Sequence, residues 1–382
     1  MSALPASFDE LLIRLAPGVQ FSCAPDGRPQ ADIQRGASNT RFALDAPIQA
    51  FLECFRTPRT LRQAAAFLAA DGFDAANVLA FGKSMIKTPL LEFHDPALLV
   101  PEASSILAGA GLHLLAAPKD RSFDGVYHVA DEAGGQHIVK LLRGPLDLAA
   151  SQRVLARMRN EFATLERLAP VAAVPRAGRF LDRPHPFFTM EYIAGDTLTD
   201  YVKRACGPGV RIAIAHAALA AMAQVHALGV IHGDLHTSNF LRQGDGQVRL
   251  IDFDCSFVQG QGSAPRIGGA VHFMPPERIP GTWHSGGDVE PGIASEVYQL
   301  GVIVYMVLAG VPPYRGRQYA ELAAAIRAGA CAPLGATREG EAIDPAVARM
   351  VHACLAFDPH DRPASLDQVL PVFQSPSMEQ PS

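Results

Sequence analysis

The sequence has no C-x-x-C pair, and its six cysteines are scattered between Cys23 and Cys354 without histidines at zinc-ligand spacing. This distribution argues against a zinc site and against a disulfide framework, because both need ligands or partners at characteristic spacings. Reduced, mostly buried thiols are expected, as is usual for a cytoplasmic protein.

The chain also lacks a surplus of positive charge and a long apolar run. Its formal net charge is −5, with 33 Lys and Arg against 38 Asp and Glu, and no basic stripe marks a nucleic-acid surface. The most apolar segment, Leu300 to Val311, is too short to span a bilayer. The N-terminus lacks the cationic start of a signal peptide. We therefore expect no nucleic-acid partner, no membrane partner and a cytoplasmic location.

The composition that remains is globular, with 48% hydrophobic and 19% charged residues, so the chain can bury a core. Its 382 residues exceed the usual length of one domain, and two or three compact units are expected. In the first hundred residues, strand patterns and then helical patterns are predicted at Leu11 to Ala24, Ala31 to Leu44, Pro47 to Phe55, Thr60 to Ala70 and Asp74 to Ile86.

After residue 111 the pattern changes to short β-rich runs, followed by one long helix. The strands are predicted at His113 to Ala117, Gly125 to Ala130 and His137 to Leu142, and the helix at Ala149 to Leu168. Helical periodicity dominates beyond Tyr192. A small β-rich lobe followed by a larger helical lobe is therefore expected.

The most informative segment reads V-I-H-G-D-L-H-T-S-N-F-L and is followed by L-I-D-F-D. It contains Asp234, Asn239 and Asp252. One carboxylate can accept a hydroxyl proton, while an amide oxygen and a second carboxylate can hold magnesium against a triphosphate. The spacing favours phosphoryl transfer.

These residues resemble the protein-kinase family, whose catalytic loop reads H-R-D-L-x-x-x-x-N and whose metal motif reads D-F-G. The resemblance implies Asp234 as the catalytic base, Asn239 and Asp252 as magnesium ligands, and ATP with Mg²⁺ as cofactors. The expected activity is transfer of the γ-phosphoryl group to Ser or Thr hydroxyls of a protein or peptide.

Upstream motifs extend the resemblance. H-I-V-K, ending at Lys140, is similar to the strand whose lysine binds the α- and β-phosphates. Glu161 is expected to orient that lysine, with Glu166 as the alternative. Val126 matches the valine of the strand that follows the phosphate-covering loop, and the resemblance places it at the nucleotide.

The segment F-F-T-M-E-Y-I-A-G is similar to the family's hinge. It implies Met190 as gatekeeper, with backbone groups of Glu191 and Ile193 reading adenine. Downstream, M-P-P-E-R, S-E-V-Y-Q-L-G and D-P-H-D-R-P resemble further kinase landmarks, and they imply a buried ion pair between Glu277 and Arg362. These landmarks favour a protein kinase over a remote small-molecule kinase.

The phosphate-covering loop departs from the family. Alignment back from Lys140 puts Lys119, Arg121 and Asp124 where the family has glycines, so the backbone there approaches the phosphates less closely. This departure keeps a nucleotide-binding pseudokinase scaffold open as an alternative.

Three other departures concern regulation and the acceptor. Gly233 replaces the arginine that pairs with an activation-loop phosphate, so phosphorylation-gated activation is not expected. His236 and Ala270 replace a lysine and a threonine that interact in Ser/Thr kinases. H-G-D-L-H is also typical of small-molecule kinases and of lanthionine-synthetase kinase domains, which keeps a small-molecule or peptide-tailoring kinase as an alternative.

The first hundred residues resemble the winged-helix recognition domains of ribosomal-peptide modification enzymes. Such domains bind a peptide as an added strand, so recruitment of a protein or peptide substrate is expected there; a generic packing domain is the alternative. The expected fold class is α+β, a small winged-helix-like domain followed by a bilobal protein-kinase-like fold. The expected boundaries are 1–96 for the front domain, 97–111 for a linker, 112–193 and 194–374 for the two lobes, and 375–382 for a tail.

Overall fold

The computed structural model describes residues 10–35, 38–85, 88, 90–94, 103–116, 124–144, 146, 149–260, 271–279, 292–316 and 319–374. It divides into two compact units. One is Met1–Met158 with Arg179–Thr189, and the other is Arg159–Gly178 with Met190–Ser382. The tail expected at 375–382 lies outside the described residues.

The front part of the first unit is a small mixed structure. It contains β1 (Ile13–Leu15), β2 (Val19–Cys23), β3 (Pro29–Arg35), β4 (Ser38–Ala43), α1 (Ala46–Glu53), α2 (Leu61–Ala69), α3 (Ala75–Met85) and β5 (Leu91–Phe93). Strands β2, β3 and β4 form an antiparallel sheet in that order, and β1 pairs with β5. The paired residues Phe21, Ala31 and Phe42 share the face that packs on the helices, because alternate side chains of a strand lie on one face.

Local side-chain caps explain where the first two helices begin. The Asp45 carboxylate accepts a hydrogen bond from the Ile48 N–H at the start of α1, and Thr60 and Gln63 form a reciprocal capping box at the start of α2. Such caps satisfy N–H groups that have no partner inside the helix. The three helices predicted in this region are confirmed, with each end within two residues of the prediction.

The strand pattern of this region differs from the prediction in two respects. The stretch Leu11 to Ala24, predicted as one strand, contains both β1 and β2. Arg35 lies opposite Ser38 in the antiparallel register, so the stretch Ala31 to Leu44, predicted as one strand, contains two. Both parts of the prediction were wrong. Gly36 was the available sequence signal, since a two-residue connection containing glycine is typical of a hairpin. The winged-helix assignment stays a prediction.

The region of the chain that follows is built on a five-stranded sheet. Its elements are α4 (Ala103–Ala108), β6 (Leu112–Leu114), β7 (Asp124–Asp131), β8 (Gln136–Leu142), α5 (Ala149–Arg167), β9 (Ala177–Leu181) and β10 (Phe187–Glu191), and the strand order is β6-β7-β8-β10-β9. Helix α4 lies within the expected linker. Its Ala103 and Leu107 are buried against Val129 and Val139 of the sheet, and this burial holds the helix in place.

The second unit is mostly helical. It contains β11 (Asp196–Thr197), α6 (Leu198–Lys203), α7 (Pro208–Ala227), β12 (Val230–Ile231), β13 (Phe240–Arg242), β14 (Val248–Leu250), β15 (Phe257–Val258), α8 (Ile293–Ala309), α9 (Tyr319–Arg327) and α10 (Pro345–Cys354). Helix α8 is buried over nearly its whole length, which marks it as the centre of this unit. The expected α+β class, with a sheet-rich part followed by a helical part, is confirmed.

Among the described residues, α7 is the one helix with the length and apolar composition that crossing a membrane would require. Ile214, Leu219 and Met222 of this helix are buried inside the unit. The same length and composition occur in the core helices of soluble proteins, so this finding is weak support for a membrane span. The expected cytoplasmic location stays a prediction.

Candidate functional site

Asp234 lies in a loop that begins directly after β12 and ends in a short 3-10 turn, Thr237–Asn239. The adjacent Leu235 is fully buried, while the Asp234 side chain keeps 24% of its surface exposed. The Oδ1 atom of Asp234 is buried without a hydrogen-bond partner in the described structure. Leu235 thus anchors the loop, while the Asp234 carboxylate stays partly exposed.

Burial raises the pKa of the Asp234 carboxyl above its ordinary value. The nearby carboxylates Asp252 and Asp254 add to this rise, whereas the neighbouring imidazoles of His236 and His232 oppose it. A raised pKa makes a carboxylate a stronger proton acceptor, which suits a general base.

The loop is tied to the strand that leads to Asp252 through both backbone groups of Ile251. The Ile251 N–H donates to the Asn239 carbonyl at 2.9 Å, and the His232 Nε2–H donates to the Ile251 carbonyl at 3.0 Å. The His232 Nδ1 accepts the Asp234 N–H at 3.3 Å, so the bonding pattern requires the neutral ring with its proton on Nε2. These bonds bring Asp234, Asn239 and Asp252 into one region.

Asp252 has a φ of 68° and is the one non-glycine residue at positive φ among those described. Side chains rarely adopt this backbone conformation, and such outliers concentrate at functional sites. On the next residue, the Phe253 N–H donates to the Glu161 carboxylate at 3.2 Å. Glu161, which is 1% exposed, is thereby joined to the segment that carries Asp252.

Glu296 is a site residue whose role the sequence reasoning missed. It is 1% exposed, its Oε1 accepts the Gly233 N–H at 2.8 Å, and its Oε2 lies 2.8 Å from His226 Nε2. A carboxylate buried in this way fixes the backbone immediately before Asp234. The signal was present in S-E-V-Y, but that motif was interpreted only as the start of a buried helix.

Gly233 itself is required by geometry. Its φ is 83°, and an added Cβ would collide with the carbonyl oxygen of Cys255. The position therefore cannot take arginine without a change of backbone, which gives the departure at Gly233 a structural reason.

The expected hinge residues lie at the end of β10 and just beyond it. Met190 and Ile193 are buried, at 5% and 6% exposure. The Glu191 carboxylate accepts bonds from Arg249 Nη2 at 2.8 Å and from the Arg176 N–H at 3.1 Å, and the Glu191 N–H donates to the Arg176 carbonyl. Arg176 and Arg249, from two separate chain segments, thus fix the position of Glu191. Sequence reasoning missed Arg249.

Lys140 and Val126 lie opposite each other in the antiparallel register of β8 and β7, so both side chains are on the same face of the sheet. Val126 is 63% exposed, which is unusual for a large apolar residue in a strand. The ion pair between Lys140 and Glu161 stays a prediction. The positions expected for the phosphate-covering loop at Lys119 and Arg121, and Ala270, lie outside the described residues.

The predicted ion pair between Glu277 and Arg362 is confirmed. Arg362 Nη2 and Nη1 donate to the two Glu277 oxygens at 2.7 Å and 3.0 Å, and both side chains are at most 1% exposed. Burial by itself would raise the pKa of Glu277, but the Arg362 guanidinium lowers it below its ordinary value. The Ser295 hydroxyl donates a further bond to Glu277, so the pair is fully hydrogen-bonded.

The donor set fits a magnesium ion bound together with a nucleotide. The described residues include no group of three or more His, Cys, Asp or Glu arranged around a metal, and magnesium usually takes few protein ligands beside phosphate and water oxygens. The Asn239 Nδ2 donates to the Asp234 carbonyl at 2.9 Å, which leaves the amide oxygen as the group able to contact a cation. Asp252 is the predicted carboxylate ligand.

Comparison with known proteins agrees with this arrangement. A family model described as a protein kinase domain matches residues 122–372. Similar curated proteins include serine/threonine-protein kinase PknL of Mycobacterium tuberculosis, 31% identical over 44% of this chain and 42% of the relative. RqkA, a DNA damage-responsive serine/threonine-protein kinase of Deinococcus radiodurans, is 31% identical over 56% of this chain and 31% of the relative.

A third relative is the inactive serine/threonine-protein kinase PLK5 of Mus musculus, 27% identical over 58% of this chain and 36% of the relative. The chain spans less than half the length of each of these relatives. The family match nevertheless covers more than half of the chain and includes the loop of Asp234, the hinge and the Glu277–Arg362 pair. The chain belongs to the protein kinase family.

Proposed function

We propose that this protein uses Mg-ATP to phosphorylate Ser or Thr hydroxyls of a protein or peptide. A protein kinase domain implies ATP and, in general, a divalent metal. The observation that carries the proposal is the joined set of Asp234, Asn239 and Asp252, in which Ile251, directly before Asp252, is bonded to the Asp234 loop through both of its backbone groups. Relatives named as Ser/Thr kinases support the acceptor class.

The residues have distinct roles in this proposal. Asp234 accepts the proton of the acceptor hydroxyl as its oxygen attacks the γ-phosphorus, and the bond to the β-phosphate oxygen breaks to release ADP. Lys140 binds the α- and β-phosphates, and Glu161 orients it. Asn239 and Asp252 hold magnesium, which neutralises charge on the phosphates when it is bound. Met190, Glu191 and Ile193 contact adenine, and Val126 contacts the nucleotide.

The test is transfer from labelled ATP with magnesium to a panel of proteins and peptides. Asp234→Ala should lower the rate by at least about a hundredfold without loss of nucleotide binding. Asp245→Ala is the matched control, because within the described part of the chain this aspartate accepts a bond from the Gln247 N–H of its own turn. Phosphorylation of small hydroxyl compounds but of no protein would show that the acceptor is a small molecule. Nucleotide binding without transfer would identify a pseudokinase.

The front domain is proposed to recruit the substrate by adding a peptide strand to its sheet. The order β2-β3-β4 leaves β2 and β4 as the outer strands of this sheet in the described part of the chain, and an outer strand can pair with an added peptide. Hydrogen exchange is measured on the full chain, with and without a protein or peptide that it phosphorylates. The bound acceptor should protect amides in β2 or β4. Protection confined to residues beyond 112 would contradict recruitment by this sheet.

A further inference from the structure

His236 lies two residues after Asp234 and its position is set by the same loop. Its backbone carbonyl accepts the Asn239 N–H at 3.0 Å, so the residue caps the 3-10 turn Thr237–Asn239. The imidazole packs beside the buried ring of Phe273, with 6.2 Å between ring centroids. The His236 side chain is thus positioned by its own backbone and by the ring of Phe273.

The distance between the His236 and Asp234 side chains allows both to contact one further oxygen atom. The His236 Nε2 lies 3.9 Å from the Asp234 Oδ2, and the two side chains keep 23% and 24% of their surface exposed. This distance is too long for a direct hydrogen bond. One oxygen atom placed to the side of the line that joins these two atoms can lie about 2.8 Å from each, which is an ordinary hydrogen-bond length.

We propose that His236 is a second catalytic residue, whose Nε2–H donates a hydrogen bond to the acceptor oxygen that Asp234 deprotonates. The inference rests on the proposed phosphoryl transfer and adds a residue that holds the acceptor. Burial lowers the pKa of His236, which is consistent with a neutral ring carrying a single N–H.

The bonding of the acceptor oxygen is complete in this arrangement. A hydroxyl oxygen has one proton and two lone pairs. The proton goes to Asp234 Oδ2, one lone pair accepts the His236 Nε2–H, and the other forms the new bond to the γ-phosphorus. The bond between that phosphorus and the β-phosphate oxygen breaks, and its electron pair leaves with ADP. No further reactant is needed.

The loop has separate anchors, so its conformation does not depend on the His236 imidazole. The Thr199 hydroxyl lies 2.7 Å from that of Thr237 and 3.0 Å from that of Ser238, and the Asn239 side chain bonds the Asp234 carbonyl. Replacement of the His236 imidazole should therefore leave the loop in place. A lower rate of phosphoryl transfer would then result from loss of the Nε2–H group.

The experiment compares His236→Gln, His236→Asn and His236→Ala in the full chain. A glutamine amide nitrogen reaches the position of the imidazole Nε2, whereas an asparagine nitrogen reaches only that of Nδ1. We expect His236→Ala and His236→Asn to lower kcat by about ten- to a hundredfold, His236→Gln to stay within a few-fold of wild type, and the Kd for Mg-ATP and the Tm to be unchanged. Wild-type kcat in the alanine variant, equal kcat in the Gln and Asn variants, or a loss of nucleotide affinity would overturn the assignment.

Failure of the proposed function has a different signature. If the wild-type protein phosphorylates no hydroxyl acceptor but hydrolyses ATP, the acceptor class is wrong, and the same variants are compared on hydrolysis, in which water supplies the oxygen. Unchanged hydrolysis in His236→Ala would then overturn the role of His236. A wild-type protein that binds Mg-ATP without transfer or hydrolysis would overturn both.

Discussion

Arg249 bridges the hinge carboxylate of Glu191 and the Val174 carbonyl, with its Nη2 at 2.8 Å and 2.7 Å from the two acceptors. Arg249 lies in β14, three residues before Asp252. The strand that leads to the proposed metal ligand and the strand that ends in the hinge therefore share one guanidinium. The Glu191 side chain is turned to this contact, so the adenine contacts that we propose for the hinge use its backbone groups.

Arg249→Ala should weaken ATP binding. Loss of the ion pair frees the hinge backbone, and a partly exposed pair of this kind contributes up to about 1 kcal/mol, so the Kd for Mg-ATP should rise about fivefold. Titration calorimetry measures this change. Arg41→Ala, which removes an ion pair to Asp32 in the front sheet, is the control and should leave the Kd unchanged; an equal effect in both variants would refute a local role.

Arg362→Ala should lower the free energy of unfolding by about 3 to 5 kcal/mol, because it leaves the buried Glu277 carboxylate without its partner. Urea denaturation measures the loss. The double variant Glu277→Leu with Arg362→Met removes both charges and should be more stable than the single variant. If the double variant were the less stable of the two, the cost would lie in packing and not in an unpaired charge.

Gly233→Ala should lower both stability and phosphoryl transfer. The left-handed backbone costs an L-residue about 1 kcal/mol or more, and the new methyl group would also displace the Cys255 carbonyl. Gly229→Ala is a matched control, since Gly229 has a φ of 70° but open space around the added Cβ. Thermal unfolding and transfer rates should therefore separate the two variants, and equal losses would show that the collision is relieved.

Stability should decrease in acid as Glu339 becomes protonated. The hydrogen bond from the fully buried Arg211 lowers the pKa of Glu339 to about 2, whereas the unfolded chain has the ordinary value near 4.3. A depressed pKa stabilises the folded state above the unfolded pKa, and this contribution is lost between about pH 5 and pH 2. The difference in unfolding free energy between wild type and Glu339→Gln should shrink over that range. A difference independent of pH would contradict the assignment.

Several parts of the site could be predicted because their signals are local in sequence. Asp234 and Asn239 are five positions apart in one loop, and Asp252 follows in a short strand motif, so their order alone was informative. Helices α1, α2 and α3 were predicted for the same reason, since caps and apolar spacing lie within each segment. The split between β3 and β4 was missed, because Gly36 was not used as a hairpin signal.

Other contacts could not be read from sequence, because they join residues that are distant along the chain. Glu296 reaches Gly233 across 63 positions, and Arg249 reaches Glu191 across 58. Whether a carboxylate 1% exposed supports a loop or simply lies on a helix depends on what packs against it.

By itself the sequence determined the family, the helices of the front part and the identity of the chemical groups, since these follow from residue types at short spacings. Only the tertiary structure decided how those groups are held. It placed Asp252 at positive φ, set a distance of 3.9 Å between His236 Nε2 and Asp234 Oδ2, and excluded a side chain at Gly233. These are distances and backbone angles, and they are set by packing between segments that no local pattern connects.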